Sequence, residues 1–274
     1  MTIVHWNRRK TWSVGLLRRF VATILGTGLL AGAGTLVVGV YWPAVVTSEF
    51  LAWVALVLGC ELLVVGAVIE RAHGRRDVER ITAASWITLA RAVALALLVG
   101  VLVAGSPSRT VGWVSSAFFA VAVLLDGVDG LVARLTGTVT ALGSRLDAEI
   151  DGLTTLVGAA AAVGTGAASL PFLAVGVARY AFVGSLWWRR RRGRSVRELS
   201  SSRLRTGLSA LLLVTIWLAL LPTTDDARTT LLTTAMAIPF LCHFGWDWLR
   251  ATMRVGPPRG GGDGDSVRDT QTPK

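Results

Sequence analysis

The chain has 274 residues, 53% of them hydrophobic and 16% charged, with a formal net charge of +11. Apolar runs of about twenty residues recur from end to end, which excludes a soluble single-core domain and a disordered chain and points to a polytopic membrane bundle. Nor is the positive charge a nucleic-acid footprint: no helix-turn-helix, zinc-ligand or RNA-binding motif accompanies it, and the arginines sit beside apolar runs, where anionic lipid headgroups are the natural partner.

In chain order, the runs predict eight helical spans at roughly 20–41, 50–69, 81–104, 111–133, 139–164, 168–188, 207–222 and 229–249. The runs are continuous and do not alternate apolar with polar, so strands are excluded and the fold class is an all-α membrane helix bundle. A basic region precedes the first run, and Ala31-Gly32-Ala33 looks like a signal-cleavage site. The apolar character nevertheless continues to Val40, longer than a signal core, so an uncleaved span is expected. The seventh run is the shortest and needs flanking residues or local bilayer thinning to cross. Beyond the eighth, residues 255–274, with GGGDGD, hold too little apolar surface to fold and read as a disordered tail.

Arginines set the orientation. Arg8, Arg9, Arg18 and Arg19 precede the first span, Arg71, Arg75, Arg76 and Arg80 follow the second, and Arg189 to Arg192, Arg194, Arg197, Arg203 and Arg205 follow the sixth. The alternate connections hold almost none, so the positive-inside rule puts both termini, and the connection after Arg134, on the cytoplasmic side. Cys60 and Cys242 both fall in spans, far apart, and are expected to be buried packing residues without a disulfide.

The fourth and fifth spans carry charge that a bilayer tolerates only for a reason. Residues three and four apart share a helix face, so Asp126, Asp129, Gly130, Ala133 and Arg134 line one stripe, and Gly143, Asp147 and Asp151 line another. A short turn near Thr136 is expected to bring the two spans together as an antiparallel pair, so that four carboxylates converge. Hard divalent cations, Mg²⁺, Mn²⁺ or Ca²⁺, suit such an oxygen-rich cluster. The small residues leave room for a ligand, and Arg134 has the geometry to hold phosphate. Together these describe a metal-dependent phosphoryl-transfer site; a purely structural network of polar groups and packing glycines explains single positions and not the set.

The spaced pattern D-x2-D-G-x2-A-R-x8-G-x3-D-x3-D is complete between Asp126 and Asp151, and it resembles the signature of the CDP-alcohol phosphotransferase family of integral membrane enzymes. The resemblance implies a six-helix catalytic core over residues 81–254, preceded by an extension, residues 1–80, with two transmembrane helices. It further implies a binuclear Mg²⁺ or Mn²⁺ centre on Asp126, Asp129, Asp147 and Asp151, with Asp151 also the general base. Gly130, Ala133, Arg134 and Gly143 would bind the cytidine nucleotide, and the assembly would be a homodimer. Thr88 and Arg91 look like the end of an Asn-x2-Thr-x2-Arg segment of that family, but Ser85 stands at the asparagine position, and this departure argues against a site role for them. Arg203 and Arg205, in SRLRT, resemble the basic pair of a Gly-Lys-x-Lys-Thr segment and would bind the phosphate of an acceptor; topology alone explains them about equally well.

Other charged residues are less informative. Arg179, within the sixth span, is expected to snorkel, pair with a carboxylate or reach substrate, and Glu61 to pair with a neighbouring helix. Glu149 points away from the Asp147 stripe, and His73 and His243, without ligand spacing around them, read as structural.

The function expected from this reading is transfer of a phosphatidyl group from CDP-diacylglycerol to a small polar alcohol such as glycerol 3-phosphate, an inositol phosphate or serine, with release of CMP, in phospholipid biosynthesis. The alternatives are a CDP-alcohol donating to a lipid alcohol within the same family, an intramembrane prenyltransferase, whose aspartates lie on separate distant helices, and an ion-coupled transporter.

Overall fold

The protein is described from a computed structural model, which covers residues 14–72, 83–105, 108–137, 141–194, 196, 203–223 and 225–252. The tail expected at 255–274, His73 and most of the basic segments outside the helices lie outside the described residues.

Eight α-helices stand among the described residues, where the eight apolar runs predict them: α1 (Val14–Tyr41), α2 (Ser48–Ala72), α3 (Ala83–Ala104), α4 (Arg109–Leu135), α5 (Ala141–Gly164), α6 (Leu173–Arg191), α7 (Arg203–Leu220) and α8 (Asp226–Thr252). No strand occurs among the described residues. Stretches of five helices, Phe20–Tyr41, Ser48–Ala67, Ser85–Ala104, Arg109–Val132 and Leu170–Arg191, are long and apolar enough to cross a membrane. Helix α5 misses that standard because Asp147, Glu149 and Asp151 fall in its first half, and the apolar part of α7 is shorter. Helix α1 runs without a break through Ala31-Gly32-Ala33, and Ala31 is buried.

Local signals mark the ends. Ser108 caps α4 by accepting a hydrogen bond from the Val111 amide at 3.2 Å. At the other end Gly137 takes φ of +62°, a left-handed conformation that an L side chain resists, and so turns the chain out of α4.

Helix α3 lies at the centre. Within the chain 67% of its apolar stretch is buried, against 17–33% for the other four. One of its faces joins a cluster with α1, α2 and the start of α4, through Val93, Leu97 and Val101. The other joins the larger core with α4 to α8, through Leu95 and Leu98. Close approach on the first side depends on Gly34, where a Cβ would stand 2.4 Å from Leu97 Cδ1. Outward faces are apolar, with Leu29, Leu63, Leu124 and Leu231 all more than two-thirds exposed, as lipid contact requires and water does not favour.

Two expectations need correction. Helices α4 and α5 do not pair closely: α4 packs mainly on α3, and α5 on α3 and α6, with little direct contact between the two. Four like charges facing each other repel, and a third helix carrying a cation separates and balances them. Cys60 and Cys242 are exposed and unpaired, not buried, because outward faces here are as apolar as the interior and take a thiol as readily as the core does.

The arginine-rich end of α6 is ordered by aromatic stacking. The Arg191 guanidinium lies 4.3 Å over the Trp187 ring and that of Arg192 4.5 Å over Trp188. Helix α8 joins them there: Trp248 Nε1 donates to Ser185 Oγ at 2.8 Å and Arg189 Nη2 to the Thr252 carbonyl at 2.8 Å.

Helices α5 and α6 meet at Gly176, where a Cβ would come within 2.8 Å of Leu156 Cα, a backbone atom that cannot rotate aside. Gly176→Val is expected to force the helices apart and destabilise the bundle by about 1–3 kcal/mol. Gly184→Val, on the same helix with nothing within 4 Å, serves as the control in thermal unfolding in detergent.

Candidate active site

Three helices build the site. Helix α3 presents Ser85, Thr88 and Arg91 at spacings of three, which keeps them on one face, α4 presents Asp126 and Asp129, and α5 presents Asp147 and Asp151. All four carboxylates meet at Arg91. Its Nη1 donates to Asp126 Oδ1, to Asp129 Oδ2 at 3.2 Å and to Asp147 Oδ1 at 3.0 Å, and its Nη2 donates to Asp151 Oδ1. Thr88 Oγ1 donates to the same Asp129 Oδ2 at 3.1 Å.

Burial is graded across the cluster. The Arg91 side chain is 1% exposed and that of Asp129 5%, whereas those of Asp126, Asp147 and Asp151 are 36%, 41% and 47% exposed. Arg91 and Asp129 therefore form the floor, and the other three carboxylates form a rim that a ligand can reach. A guanidinium taken out of water needs such a surround, since a buried charge without a partner costs several kcal/mol.

Could the residues hold a metal? One oxygen each of Asp126, Asp129 and Asp147 lies within 4.8 Å of the other two, and every donor is a hard carboxylate oxygen, the set that Mg²⁺ and Mn²⁺ prefer. Asp151 is outside that trio and is tied to it through the second nitrogen of Arg91. One guanidinium against four carboxyl groups leaves the acidic groups in excess, an imbalance that divalent cations would offset.

Beside the rim opens a cavity of about 510 Å³ between α5, α6, α7 and α8. Asp126 and Asp151 reach it from the cluster, and Arg179, Arg205, His243 and Asp247 stand in its walls. Gly152 makes room for Arg179: a Cβ there would fall 2.5 Å from Arg179 Cδ and 2.6 Å from Nε, so the arginine stem lies across the helix next to Asp151. Arg205 Nη1 is 3.5 Å from Asp247 Oδ2, and His243 Nε2 is 3.6 Å from the same oxygen.

The remaining expected residues fall around this centre. Arg134 is exposed at the end of α4 and folds back over Gly130, its Nη1 3.3 Å from where a Cβ would stand. Gly143, half-buried, is one turn before Asp147 on α5. Ala133 is in α4 and Arg203 begins α7, and the side chains of both lie outside the described residues. Glu149 is half-buried and apart from the carboxylate cluster.

Four residues read from sequence as marginal, or passed over, stand at the site. Thr88 and Arg91 belong to it in spite of Ser85, and their spacing with Ser85 on an otherwise apolar helix was the available signal. His243, read as structural, lines the cavity with Asp247 one turn away; a polar pair four apart in an apolar helix is again the signal.

A family model described as CDP-alcohol phosphatidyltransferase matches residues 81–242, more than half of the chain. That span takes in α3 to α7, the four aspartates, Arg91 and both cavity arginines, and leaves out α1, α2, His243 and Asp247. No curated protein and no solved structure matches the chain.

The central role of Arg91 predicts its own test. Arg91→Gln should destabilise the metal-free protein by about 3–5 kcal/mol, since it leaves carboxylates facing one another without a cation. Adding Asp126→Asn to that variant should recover part of the loss by removing one repelling charge, and thermal unfolding in chelator reads both effects. A second substitution that merely adds to the first would contradict the charge-balance account.

Proposed function

This chain belongs to the CDP-alcohol phosphatidyltransferase family, and from that premise we propose that it moves a phosphatidyl group from CDP-diacylglycerol to a small polar alcohol, releasing CMP. The observation that carries the proposal is the adjacency of the carboxylate cluster to a roomy cavity with two arginines in its wall. The five long apolar helices and the family make it an integral membrane protein. Its proposed topology is eight spans with both termini and the site on the cytoplasmic side, divided into a two-helix extension (1–80), a six-helix core (81–254) and a tail. A homodimer, the family's assembly, belongs to the same reading.

Each group has a task in the proposed reaction. Asp126, Asp129, Asp147 and Asp151 would hold two Mg²⁺ or Mn²⁺ ions, which when bound supply charge neutralisation at the donor pyrophosphate. Gly130, Ala133 and Gly143 leave space for the cytidine, and Arg134 pairs with phosphate oxygens. Asp151, at the cavity rim, accepts the proton of the acceptor hydroxyl as its oxygen bonds to the phosphatidyl phosphorus. The bond from that phosphorus to the bridging oxygen breaks, and CMP leaves with the electron pair. Arg91 holds the carboxylates in register for this, a positioning role.

The cavity favours one class of acceptor. Arg179 and Arg205 face the space beside Asp151, and guanidinium groups suit a phosphorylated alcohol better than a neutral one. This also weighs against the reversed arrangement, in which the acceptor is a lipid alcohol without charge.

The experiment is a CMP-release assay in detergent with Mg²⁺ or Mn²⁺, crossing CDP-diacylglycerol with glycerol 3-phosphate, inositol phosphate and serine, and CDP-alcohols with diacylglycerol. Release with CDP-diacylglycerol and a phosphorylated acceptor, abolished by chelator, is the expected result. Asp151→Asn should lower turnover by about 10²- to 10⁴-fold. Arg205→Gln should raise KM for the phosphorylated acceptor by about tenfold or more and leave KM for the donor alone. Turnover by Asp151→Asn equal to that of the parent would remove Asp151 as the base.

A further inference from the structure

The family match ends at residue 242, so His243 and Asp247, on the last turns of α8, take no role from it. Both nevertheless stand in the wall of the cavity that Asp126 and Asp151 reach. Asp247 is 8% exposed, and its Oδ2 and the Nε2 of His243 are buried atoms without a hydrogen bond. A carboxylate so enclosed in an apolar helix is a cost to the fold unless a cation offsets it. Arg205 supplies the cation: its Nη1 lies 3.5 Å from Asp247 Oδ2, and His243 Nε2, one turn back on α8, lies 3.6 Å from the same oxygen.

The two partners are unequal. The Asp247 side chain is 11% exposed and that of Arg205 36%, so the carboxylate is the enclosed partner and the guanidinium the one that reaches the open space. At 3.5 Å the contact is a pull between charges and not a closed hydrogen bond. It holds the guanidinium at one edge, and because that group is a rigid planar fork, a held edge restricts how the whole fork can turn. The same cavity gives a reason for such a hold. Asp126 and Asp151 open onto it from a cluster with more carboxyl groups than cations, and charges attract across an enclosed site more strongly than through water. A guanidinium on a long flexible stem, without a hold on the α8 side, would be drawn to those carboxylates.

We propose that Asp247 is a positioning residue: it keeps Arg205 in the α7–α8 wall of the cavity, away from the acidic cluster and turned to receive the phosphate of the acceptor, and His243 steadies Asp247 from the preceding turn. The inference rests on the reading of Arg205 as an acceptor-phosphate arginine; the contact between Arg205 and Asp247 stands on geometry alone.

The test is a double-mutant cycle on the full chain in detergent, with Asp247→Asn, Arg205→Gln and both together. Turnover is measured with CDP-diacylglycerol and glycerol 3-phosphate or inositol phosphate, whichever the parent uses, and Tm is measured in chelator. Asp247→Asn, alike in shape and without the charge, should raise KM for the phosphorylated acceptor by about tenfold and keep KM for CDP-diacylglycerol within about twofold. In the Arg205→Gln background it should add less than about twofold, because the arginine it holds is gone. Asp247→Glu, which keeps the charge, should recover most of the parent's KM for the acceptor. In Tm the two substitutions should be less than additive, since Arg205→Gln alone leaves a buried carboxylate without its cation and Asp247→Asn relieves that.

Strict additivity in Tm overturns the pairing. An unchanged KM for the acceptor in Asp247→Asn, in a parent that uses a phosphorylated acceptor, overturns the positioning role. So do equal losses toward donor and acceptor that Asp247→Glu does not recover, which is what a mere tie between α7 and α8 would give. A parent that turns over CDP-diacylglycerol with unphosphorylated acceptors alone defeats the reading of Arg205 instead, and the Tm cycle then decides the pairing without it.

Discussion

One buried guanidinium surrounded by four carboxylates is the interaction on which the rest of the molecule depends. Asp126 and Asp129 on α4 and Asp147 and Asp151 on α5 would drive their helices apart if they faced one another. Arg91, held by α3, gives all of them a common partner. The cost of removing that guanidinium from water is offset only while the carboxylates surround it, so charge and helix positions determine each other. This explains why α3 separates the two carboxylate helices, and why the cluster is dry at Asp129 and open at Asp151.

The same helix ties the two parts of the bundle together. Its Leu95 and Leu98 belong to the large core and its Leu97 and Val101 to the cluster with α1 and α2. Gly34 lets α1 come down on Leu97. A disturbance on the extension side therefore reaches α3, and α3 carries Arg91 and Thr88. The family match begins at residue 81, but the packing does not stop there.

How much of this was legible in the sequence depends on the range of the forces involved. Helices follow from apolar runs longer than any strand needs, and the eight appear where predicted. The aspartates and glycines could be read because their spacing is local: three and four residues on a helix define a face. What could not be read was which helix lies between which. Nothing in the short turn after α4 shows that α3 enters between α4 and α5, and so Arg91, which owes its importance to that placement, was discounted on the strength of Ser85. His243 and Asp247 were missed for the same reason, since their value comes from meeting Arg205 in the wall of a cavity formed by four helices. The exposed cysteines show the opposite limit: in a bilayer an apolar residue does not reveal whether it faces lipid or core.

The stacks of Arg191 on Trp187 and Arg192 on Trp188 act as a depth gauge. Indole rings settle at the level of lipid headgroups, and the stacked guanidinium groups resist entering the hydrocarbon, so the bundle has little freedom to ride up or down in the membrane. Trp248 of α8 is pinned to that girdle through Ser185. Asp247 in the cavity wall is its immediate neighbour in the chain. With the site on the cytoplasmic side, as proposed, this girdle would set the cavity mouth at the height of the headgroup layer. The proposed lipid donor would then present its polar end to the site by sliding sideways in its own leaflet, with its acyl chains never leaving the oil.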